Sequence, residues 1–465
     1  MGGMSAVSHD RAVDSASPRA RALDRLRADS LALHVLIVAG VALILGLVRL
    51  GSPSLWLDES LTARRVDYPV LRLFEGYHGM YDTILKPWAL VVGTGEWSLR
   101  MPSVLGSMLA AGLLVVLGRR VFTPMVGLVS GLLLAASPFI VKWSQQARGY
   151  TLLLALGILA TILLLRALER GSRGAWLVYG IVFAGVLVWH PVAGILLAPS
   201  HAVLVAQRRD RILPHGLLGL VVIVAIGVPW VAQIAMRSTG EGVAMNWLGA
   251  PTFEEGAWAL LDVSGAAGLG LLLGLVGLVL VWRVGDRNRF AWLATWAFAP
   301  FVVALVVTIV RPIYLDRYLM IAAPAFALLG GVALTGLAPR LRIAAGAAVA
   351  VAVVAGLASW YSTTDDGNWR SEDWRTATQF VLERSGDADA VVVAPWSAAP
   401  AARYYGVDAV DTSRAESIWV LTWSETGDDI TPGERRALGF GEHGLVERTQ
   451  FGRRVSAQLW RRPAE

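Results

Sequence analysis

The sequence predicts an all-α polytopic membrane domain with about eleven transmembrane helices, followed by a small α/β domain. Three observations lead to this fold class. Of the 465 residues, 55% are hydrophobic and only 16% are charged, against roughly 25% charged residues in soluble domains. The apolar residues form long uninterrupted blocks, and the segment after residue 359 lacks such a block. This pattern excludes a soluble enzyme and a nucleic-acid-binding protein.

The first segment, 1–29, is polar and rich in Ala, Arg, Asp and Ser, which predicts a disordered cytoplasmic tail. The membrane domain is predicted over 30–359. Its first apolar run, 31–50, is long enough to span a bilayer and has no small-residue cleavage site after it, so we interpret it as a retained span. The remaining spans are predicted at 101–118, 123–141, 150–168, 174–189, 192–207, 214–232, 264–282, 290–310, 318–337 and 342–359.

The distribution of arginine supports this topology. If the N-terminus is cytoplasmic, every predicted inner loop is short and basic, as the positive-inside rule requires. These loops carry Arg119, Arg120, Arg166, Arg170, Arg173, Arg208, Arg209, Arg211, Arg283, Arg287, Arg289, Arg340 and Arg342. An odd number of spans then places 360–465 outside the cytoplasm. We therefore expect a multi-pass protein of the plasma (inner) membrane that contacts anionic lipid and no nucleic acid.

The predicted outer side carries most of the mass outside the membrane. Its first loop, 51–100, is long, and a second long loop covers about 233–262. Within the first loop, 61–73 and 81–92 are amphipathic and too short to span comfortably, so they are predicted to lie in the membrane interface. This asymmetry indicates that the protein acts at its outer surface.

The outer tail, 360–465, is predicted to be an extracytoplasmic α/β domain. Helices are expected at 373–383 and 398–405, and strands at 390–393 and 418–423.

Two adjacent carboxylates, Asp58 and Glu59, follow the first span in the sequence LWLDES at 55–60. Unpaired charge at a membrane boundary is costly, so their position calls for a reason. One carboxylate can act as a general base on a sugar hydroxyl, and its neighbour can orient a group or bind a metal. The alternative is that Asp58 caps a helix at 59–73, because Asp is a good N-cap residue. The two roles are compatible.

The predicted outer side also carries cations that break the positive-inside trend. They are Arg64, Arg65, Arg72, Lys86, Arg100, Lys142, Arg148, Arg237, Arg311 and Arg317. An anionic ligand would explain them, since Arg and Lys bind phosphate well; the alternative is snorkelling to lipid headgroups. Arg148 and Arg317 are harder to explain by snorkelling because they lie in polar turns, although Asp316 would make the second turn structural if it paired with Arg317 or Arg311.

Two histidines, His78 and His190, lie near the predicted outer boundary. The pair His190–Pro191 fits a broken helix end that lines a cavity. A lone histidine is more often a local hydrogen-bonding residue, and both interpretations stay open.

Several segments, in this order, resemble the GT-C fold membrane glycosyltransferases, in particular the group of protein O-mannosyltransferases and the lipid A aminoarabinose transferase (glycosyltransferase family 39-like). The similar segments are 55–59, 78–88 with 95–103, 137–150, 317–324, 372–375 and 404–406. The resemblance covers most of the chain. It implies transfer of a sugar from a polyprenyl-phosphate-linked donor to a hydroxyl of a cell-envelope acceptor, on the extracytoplasmic face.

The resemblance also implies roles for individual residues. Asp58 would be the catalytic base, and Glu59 would support it or help hold a cation. The expected donor-phosphate ligands are Lys86, Arg148, Arg317 and Arg64. The expected pocket residues are His78, Tyr81, Gln145, Gln146, Tyr150, His190 and Tyr318.

Transfer by a single base predicts inversion at the anomeric carbon, in contrast to the paired carboxylates of retaining hydrolases. A divalent cation, Mg²⁺ or Mn²⁺, remains an open expectation with only Asp58 and Glu59 as candidate ligands. Some relatives carry a second acidic residue where this chain has Gln145, Gln146 and Arg148.

Two other functions are compatible with the sequence. A lipid or sugar transporter or flippase would explain the spans and an anion site, but not the heavy outer loops, and the sequence shows no internal repeat. A non-catalytic GT-C-like scaffold is the second alternative. Mannose, arabinose, aminoarabinose, glucose and galactose are all compatible with the sequence as the donor sugar.

Overall fold

The computed structural model describes residues 18–73, 79–208, 215–237, 250–310, 312–362, 372–408, 415, 417–424, 430–440 and 443–462. A helical bundle is followed by a small domain built on a four-stranded sheet. The helices of the bundle are α1 (Pro18–Leu47), α2 (Leu57–Arg65), α3 (Val70–Leu73), α4 (Gly79–Val92), α5 (Glu96–Val121), α6 (Pro124–Ala135), α7 (Pro138–Ser144), α8 (Tyr150–Arg170), α9 (Arg173–Trp189), α10 (Pro191–Ala206), α11 (His215–Arg237), α12 (Phe253–Ser264), α13 (Leu269–Arg283), α14 (Arg287–Thr308), α15 (Asp316–Leu319), α16 (Ala323–Gly336) and α17 (Pro339–Tyr361).

An apolar helix lies at each of the predicted spans, so the chain is a multi-pass membrane protein. By length and composition, 7 helices in the described ranges can cross a membrane, or up to 9 if each of two bent helix pairs counts as one span. One such pair is α6 and α7, which meet at 60° beside Pro138. Helices α9 and α10 are shorter, with 17 and 16 residues. The predicted count of eleven spans is therefore not confirmed.

The beginning of α1 differs from the prediction. The helix starts at Pro18, inside the segment 1–29 that was predicted to be disordered. The run 18–30 contains several Ala, Leu and Arg residues, which are strong helix formers and extend the helix beyond the apolar span toward the N-terminus. Residues 1–17 lie outside the described part.

The bundle is built around α5, which packs against α1, α6 and α8. A close approach of α5 to α8 depends on Gly106. A Cβ atom at this position would lie 2.7 Å from the backbone nitrogen of Leu152 and from Oγ1 of Thr151. The absence of a side chain at Gly106 therefore fixes the first turn of α8 directly beside α5.

The first loop forms helices at the two places predicted, with one break. Helix α4 agrees with the prediction for 81–92. The prediction for 61–73 divides into α2 and α3, because Pro69 has no N–H and restricts the residue before it. Helix α2 begins at Leu57 with Trp56 at its N-cap, so Asp58 lies inside the first turn. The interpretation of Asp58 as the N-cap was wrong.

The C-terminal domain contains a mixed sheet with the order β1-β2-β4-β3. Strands β1 and β2 are parallel, and the other neighbouring strands are antiparallel. The elements are α18 (Trp374–Arg384), β1 (Asp389–Ala394), α19 (Ala399–Tyr404), β2 (Ser417–Trp423), α20 (Pro432–Ala437), β3 (Gly444–Phe451) and β4 (Val455–Arg461). The helices and strands predicted at 373–383, 390–393, 398–405 and 418–423 are confirmed. Strands β3 and β4 and helix α20 were not predicted. Most residues of β3 are exposed, and the strand lacks an apolar alternation.

Candidate active site

Glu59 is fully buried and its carboxylate forms a bidentate ion pair with Arg100 of α5. The Arg100 Nε to Glu59 Oε1 distance is 2.8 Å, and the Nη2 to Oε2 distance is 2.6 Å. Arg100 is equally buried and also donates to the carbonyl oxygens of Leu50, Pro53 and Ser54. The backbone N–H of Ala147 donates to Glu59 Oε1 at 2.7 Å. Glu59 therefore joins α2 to α5 and to the turn before α8.

Asp58, the neighbouring residue, has an accessible carboxylate. Its side chain is 28% exposed, and Oδ2 lies 3.4 Å from Nη2 of Arg148. Burial alone would lower the pKa of the Arg148 guanidinium, but the Asp58 carboxylate and the Tyr150 hydroxyl outweigh this and raise the pKa above its usual value. Arg148 thus stays charged beside Asp58.

The turn that carries Arg148 packs against α4, α5 and α9. Oγ of Ser103 on α5 donates to the carbonyl oxygen of Arg148 at 2.7 Å. A Cβ atom at Gly149 would lie 2.8 Å from Cβ of Tyr81 and 2.9 Å from Nε1 of Trp189. Only glycine therefore permits this turn to pack against α4 and α9, and this packing fixes the backbone of Arg148.

A second guanidinium, that of Arg317, lies among aromatic rings near Arg148. It is 5.8 Å from the ring centroid of Trp143 and 5.6 Å from that of Tyr318. The Arg148 guanidinium lies 5.8 Å from the ring centroid of Tyr150. The Asp58 carboxylate acts electrostatically on both arginines. The Asp58 carboxylate and the two arginines therefore share one end of the bundle.

Tyr150, His190 and Tyr318 form the aromatic wall of this region. The ring centroids of His190 and Tyr318 are 4.5 Å apart, and those of Tyr150 and His190 are 6.2 Å apart. A small cavity is lined by Tyr150, Tyr318 and Arg317, together with apolar side chains of α8 and α10. His190 accepts at Nδ1 from the N–H of Ala193 and so caps α10. We call Asp58, Arg148, Tyr150, His190, Arg317 and Tyr318 the carboxylate–arginine site.

Comparison with known proteins identifies this architecture. Residues 80–232 match the sequence profile of the family described as dolichyl-phosphate-mannose-protein mannosyltransferase. The structure is similar to that of ArnT from Cupriavidus metallidurans in the apo state, with a TM-score of 0.60 and 17% identity over 91% of this chain and 97% of that chain. The chain has the GT-C fold. The predicted fold class is confirmed.

Two further solved structures are similar to that of this chain. ArnT from C. metallidurans bound to undecaprenyl phosphate has a TM-score of 0.60 and 16% identity, covering 91% of this chain and 97% of that chain. The archaeal oligosaccharyltransferase AglB from Archaeoglobus fulgidus, in complex with an inhibitory peptide and a dolichol-phosphate, has a TM-score of 0.51 and 13% identity, covering 84% and 69%. No curated protein sequence matches the chain.

The matching family model is described as a mannosyltransferase, and AglB is an oligosaccharyltransferase, which supports the predicted class of enzyme, a glycosyltransferase.

Within this GT-C fold, the two glutamines predicted to line the pocket form hydrogen bonds with other parts of the protein. Nε2 of Gln145 donates to the carbonyl oxygens of Gly46 and Val48 at 3.0 and 2.7 Å, and its Oε1 accepts from the indole of Trp360 at 2.7 Å. Gln145 therefore fixes the end of α1 to α17. Gln146 is fully buried, and its Nε2 lies 3.3 Å from the carbonyl oxygen of Lys142. The expectation that both glutamines contact substrate does not fit their burial and partners.

Tyr81 is also placed differently from the expectation. It is 1% exposed, and its hydroxyl lies 3.4 Å from the carbonyl oxygen of Leu99 and 3.5 Å from Oγ of Ser103. Its ring packs behind Gly149. Tyr81 supports the turn rather than lining an open pocket. His78 lies outside the described residues.

Of the four predicted donor-phosphate ligands, two lie in the carboxylate–arginine site and two lie elsewhere. Arg148 and Arg317 belong to the carboxylate–arginine site. Lys86 donates instead to the backbone carbonyls of Val66 and Tyr68 at 2.5 and 3.0 Å, and so closes the C-terminal end of α2. Arg64 is exposed on α2, with its guanidinium 5.9 Å from the ring centroid of Tyr68.

The hydrogen bonds of Lys86 to backbone carbonyls lead to a testable prediction. Lys86→Met should leave the KM for a lipid-linked sugar donor unchanged and should lower stability by about 1–3 kcal/mol, because two carbonyls lose a charged donor. Thermal unfolding in detergent and donor titration measure the two effects. A several-fold rise in the KM without loss of stability would return Lys86 to the phosphate-binding set.

A metal ion was expected to involve Asp58 and Glu59. Both oxygens of Glu59 already accept from Arg100, and one also accepts from the Ala147 amide. In the described ranges, no group of three or more His, Cys, Asp and Glu side chains could hold a metal ion together. Glu59 is therefore engaged within the protein, and the mechanism below uses no metal ion.

The sequence placed Arg100 only among the outer cations, and Trp143, whose ring lies 5.8 Å from the Arg317 guanidinium, was not among the expected pocket residues. The sequence did offer one signal for Arg100, a charged residue six positions before Gly106 in a mostly apolar helix. It did not identify the partner of Arg100.

Asp316 pairs with Lys142, whose Nζ is 3.5 Å from Oδ2 of Asp316. Oδ1 of Asp316 accepts from the backbone N–H of Arg317 at 2.6 Å. The predicted partner Arg311 lies outside the described residues.

Proposed function

We propose that this chain is a membrane glycosyltransferase that moves a sugar from a polyprenyl-phosphate-sugar donor to an acceptor hydroxyl, with Asp58 as the general base. The observation that carries the proposal is the contrast between two adjacent acids. Glu59 is fully buried and paired with Arg100, whereas the side chain of Asp58 is 28% exposed and faces Arg148. Of these two carboxylates, Asp58 is the one that an acceptor hydroxyl can reach.

The proposed step needs only one base and the two arginines. Asp58 removes the proton of the acceptor hydroxyl as the oxygen attacks the anomeric carbon. The bond from that carbon to the phosphate oxygen breaks, and its electron pair leaves with the polyprenyl phosphate. Arg148 and Arg317 stabilise the negative charge that develops on the phosphate. The products are the glycoside, the lipid phosphate and a protonated Asp58.

The direction of attack determines the stereochemistry. The acceptor approaches opposite the leaving phosphate in a single displacement, so the anomeric configuration inverts. A retaining pathway would need a second free carboxylate as nucleophile, and Glu59 is not free.

Two comparisons support a lipid-linked donor. The family that matches 80–232 is described by its use of dolichyl-phosphate-mannose, and a structural relative is solved with undecaprenyl phosphate. The aromatic wall and the paired arginines offer a phosphate site at the edge of the bundle. We further propose that the reaction occurs on the extracytoplasmic face of the plasma membrane, with a cell-envelope acceptor.

Reconstitution tests this function directly. The purified protein is placed in vesicles that contain synthetic polyprenyl-phosphate-linked mannose, arabinose, aminoarabinose, glucose or galactose, together with cell-envelope extract. Transfer of labelled sugar with release of polyprenyl phosphate is the expected result. Movement of the lipid-linked sugar across the vesicle membrane without any transfer would instead indicate a flippase or transporter. Binding with neither reaction would indicate a scaffold.

The arginines supply a second test of the proposal. Arg148→Met and Arg317→Met should each lower kcat by about 10²–10³-fold, because each removes a donor that stabilises the leaving phosphate. The matched control is Arg173→Met, an exposed arginine at the start of α9 and so at the opposite end of that helix from His190, which should keep kcat within about twofold. Single-turnover rates with a saturating lipid donor measure the effect. An equal loss in the Arg173 variant would contradict the assignment.

A further inference from the structure

Two side chains of the C-terminal domain hold the backbone directly before Asp58. Oε2 of Glu372 accepts from the backbone N–H of Leu57 at 3.0 Å. The hydroxyl of Tyr405 accepts from the backbone N–H of Leu55 at 2.6 Å. These contacts join residues that are 315 and 350 positions apart in the chain. The helix that carries the proposed base is therefore anchored by a domain from the other end of the sequence.

Glu372 provides a hydrogen-bond acceptor that the first turn of α2 lacks. The first N–H groups of a helix have no acceptor within the helix. The N-cap residue is Trp56, whose side chain has no oxygen to offer. Glu372 supplies a carboxylate to the N–H of Leu57, at the positive end of the helix dipole, where a negative group is stabilising. Glu372 thus acts as an N-cap that is contributed by another domain.

Both holding residues are themselves fixed. Glu372 is 1% exposed, and the indole of Trp374 donates to the same Oε2 atom at 3.1 Å. The hydroxyl of Tyr405, after accepting from Leu55, donates to Oε1 of Glu96 at 3.1 Å. Tyr405 therefore connects the segment before α2 to the start of α5.

Further contacts between the C-terminal domain and the bundle surround these two hydrogen bonds. Arg375 forms an ion pair with Glu96, with Nη2 2.6 Å from Oε1. Oγ of Ser54 donates to the carbonyl oxygen of Glu372 at 2.5 Å and accepts from the N–H of Trp374 at 3.2 Å. The side chain of Leu57 packs against the apolar core of the C-terminal domain. The segment that leads into Asp58 is thus held on its backbone and on its side chains.

We propose that Glu372 and Tyr405 are positioning residues that set the Asp58 carboxylate against Arg148 and Arg317. The C-terminal domain is then part of the catalytic unit, and the inference rests on the proposed role of Asp58 as the base. Neither residue touches the substrate. They act by fixing the backbone one and three positions before the base, and a displacement of about 1 Å there costs up to about 10²-fold in rate.

Substitutions at Glu372 separate a hydrogen-bonding role from a general structural one. Glu372→Gln keeps an acceptor oxygen for the N–H groups of Leu57 and Trp374, whereas Glu372→Leu removes it. The leucine variant and Tyr405→Phe should each lower kcat by about 10–100-fold per folded molecule. The KM for the lipid donor should stay unchanged, because Arg148 and Arg317 belong to the helical bundle. The glutamine variant should retain most of the activity.

The matched control is Glu383→Leu, the same change at an exposed glutamate of α18 whose partner is Gln379. It should alter neither kcat nor KM. A second readout does not depend on activity: hydrogen exchange of the amides at 55–59 should be faster in Glu372→Leu than in the wild-type full-length protein. The Glu383 variant should show wild-type exchange at these positions.

Two outcomes would overturn the inference. In one, Glu372→Leu reduces only the amount of folded protein, while kcat per folded molecule and amide exchange at 55–59 stay at wild-type values. In the other, Glu372→Gln is as inactive as Glu372→Leu, so that restoring the acceptor rescues nothing. If the wild-type protein transfers no sugar from any donor, the proposed function fails, and the exchange at 55–59 alone then supports or overturns the contact.

Discussion

Replacing Asp58 with asparagine should abolish sugar transfer while leaving the protein folded. General base catalysis contributes about 10²–10⁴-fold to a rate, and the amide keeps the shape of the carboxylate but cannot take a proton at neutral pH. The amide oxygen can still accept from Arg148, which lies 3.4 Å from the carboxylate. The loss should therefore appear in kcat rather than in the amount of folded protein.

The measurement is transfer of labelled sugar by reconstituted protein, alongside thermal unfolding in detergent. The matched control is Asp67→Asn, an exposed aspartate just after the same helix, which should be fully active. Transfer by the Asp58 variant at a rate within about tenfold of wild type would be smaller than the effect of a general base and would remove Asp58 from that role.

The second large effect is expected at the buried pair of Glu59 and Arg100. Removing one member of a buried ion pair typically costs about 3–5 kcal/mol, because the other charge is left uncompensated. Glu59→Ala also leaves the Ala147 amide without its acceptor. Arg100→Ala leaves the carbonyls of Leu50, Pro53 and Ser54 without their donor. Each variant should unfold at a much lower temperature than wild type.

The control for this prediction is Glu169→Ala, which breaks the more exposed pair between Glu169 and Arg120. Exposed pairs are worth about 0–1 kcal/mol, so this variant should be close to wild type. The double variant Glu59→Ala/Arg100→Ala should be less destabilised than the sum of its two single changes, as expected for residues in contact. If Glu59→Ala and Glu169→Ala shift the unfolding temperature equally, the buried pair does not stabilise the fold as the geometry indicates.

These two predictions assign opposite tasks to adjacent acids. The change at Asp58 should affect the chemistry and spare the fold, whereas the change at Glu59 should affect the fold first. The residues alone could not separate them, because both are acidic residues in the first turn of one helix, and only the family resemblance gave the role of base to Asp58. Burial separates them: Glu59 is buried against Arg100 of α5, whereas the side chain of Asp58 is partly exposed beside Arg148.

Much of the architecture follows from local sequence. An apolar helix lies at each of the spans that the apolar blocks predicted, although α12 lies largely in the predicted outer loop 233–262. The tail pattern predicted α18, β1, α19 and β2. The break between α2 and α3 at Pro69 was readable in principle, since proline restricts its own backbone and that of the preceding residue. Strand β3 was not readable because its exposed residues carry little hydrophobic signal.

The candidate site was predicted less completely. Arg148 and Arg317 stood out because they interrupt apolar segments, and the structure brings both near Asp58. Lys86 and Gln145 were also expected at the site, from the family resemblance, yet their side chains bind backbone carbonyls. A polar residue in an apolar context indicates only that some partner exists, because burial of an unpaired polar group is costly. It does not indicate whether the partner is a ligand or the chain itself.

The sequence by itself determined the membrane fold, the order of its helices and the presence of an acid and basic residues at one end of the bundle. Hydrophobicity and helix signals act over about 20 residues, so they can be read from neighbouring positions. The tertiary structure decided which acid is accessible and what holds it. Glu59 meets Arg100 41 positions away, and the amide of Leu57 meets Glu372 315 positions away. Such pairings depend on which helix faces which, and only the packed chain specifies that.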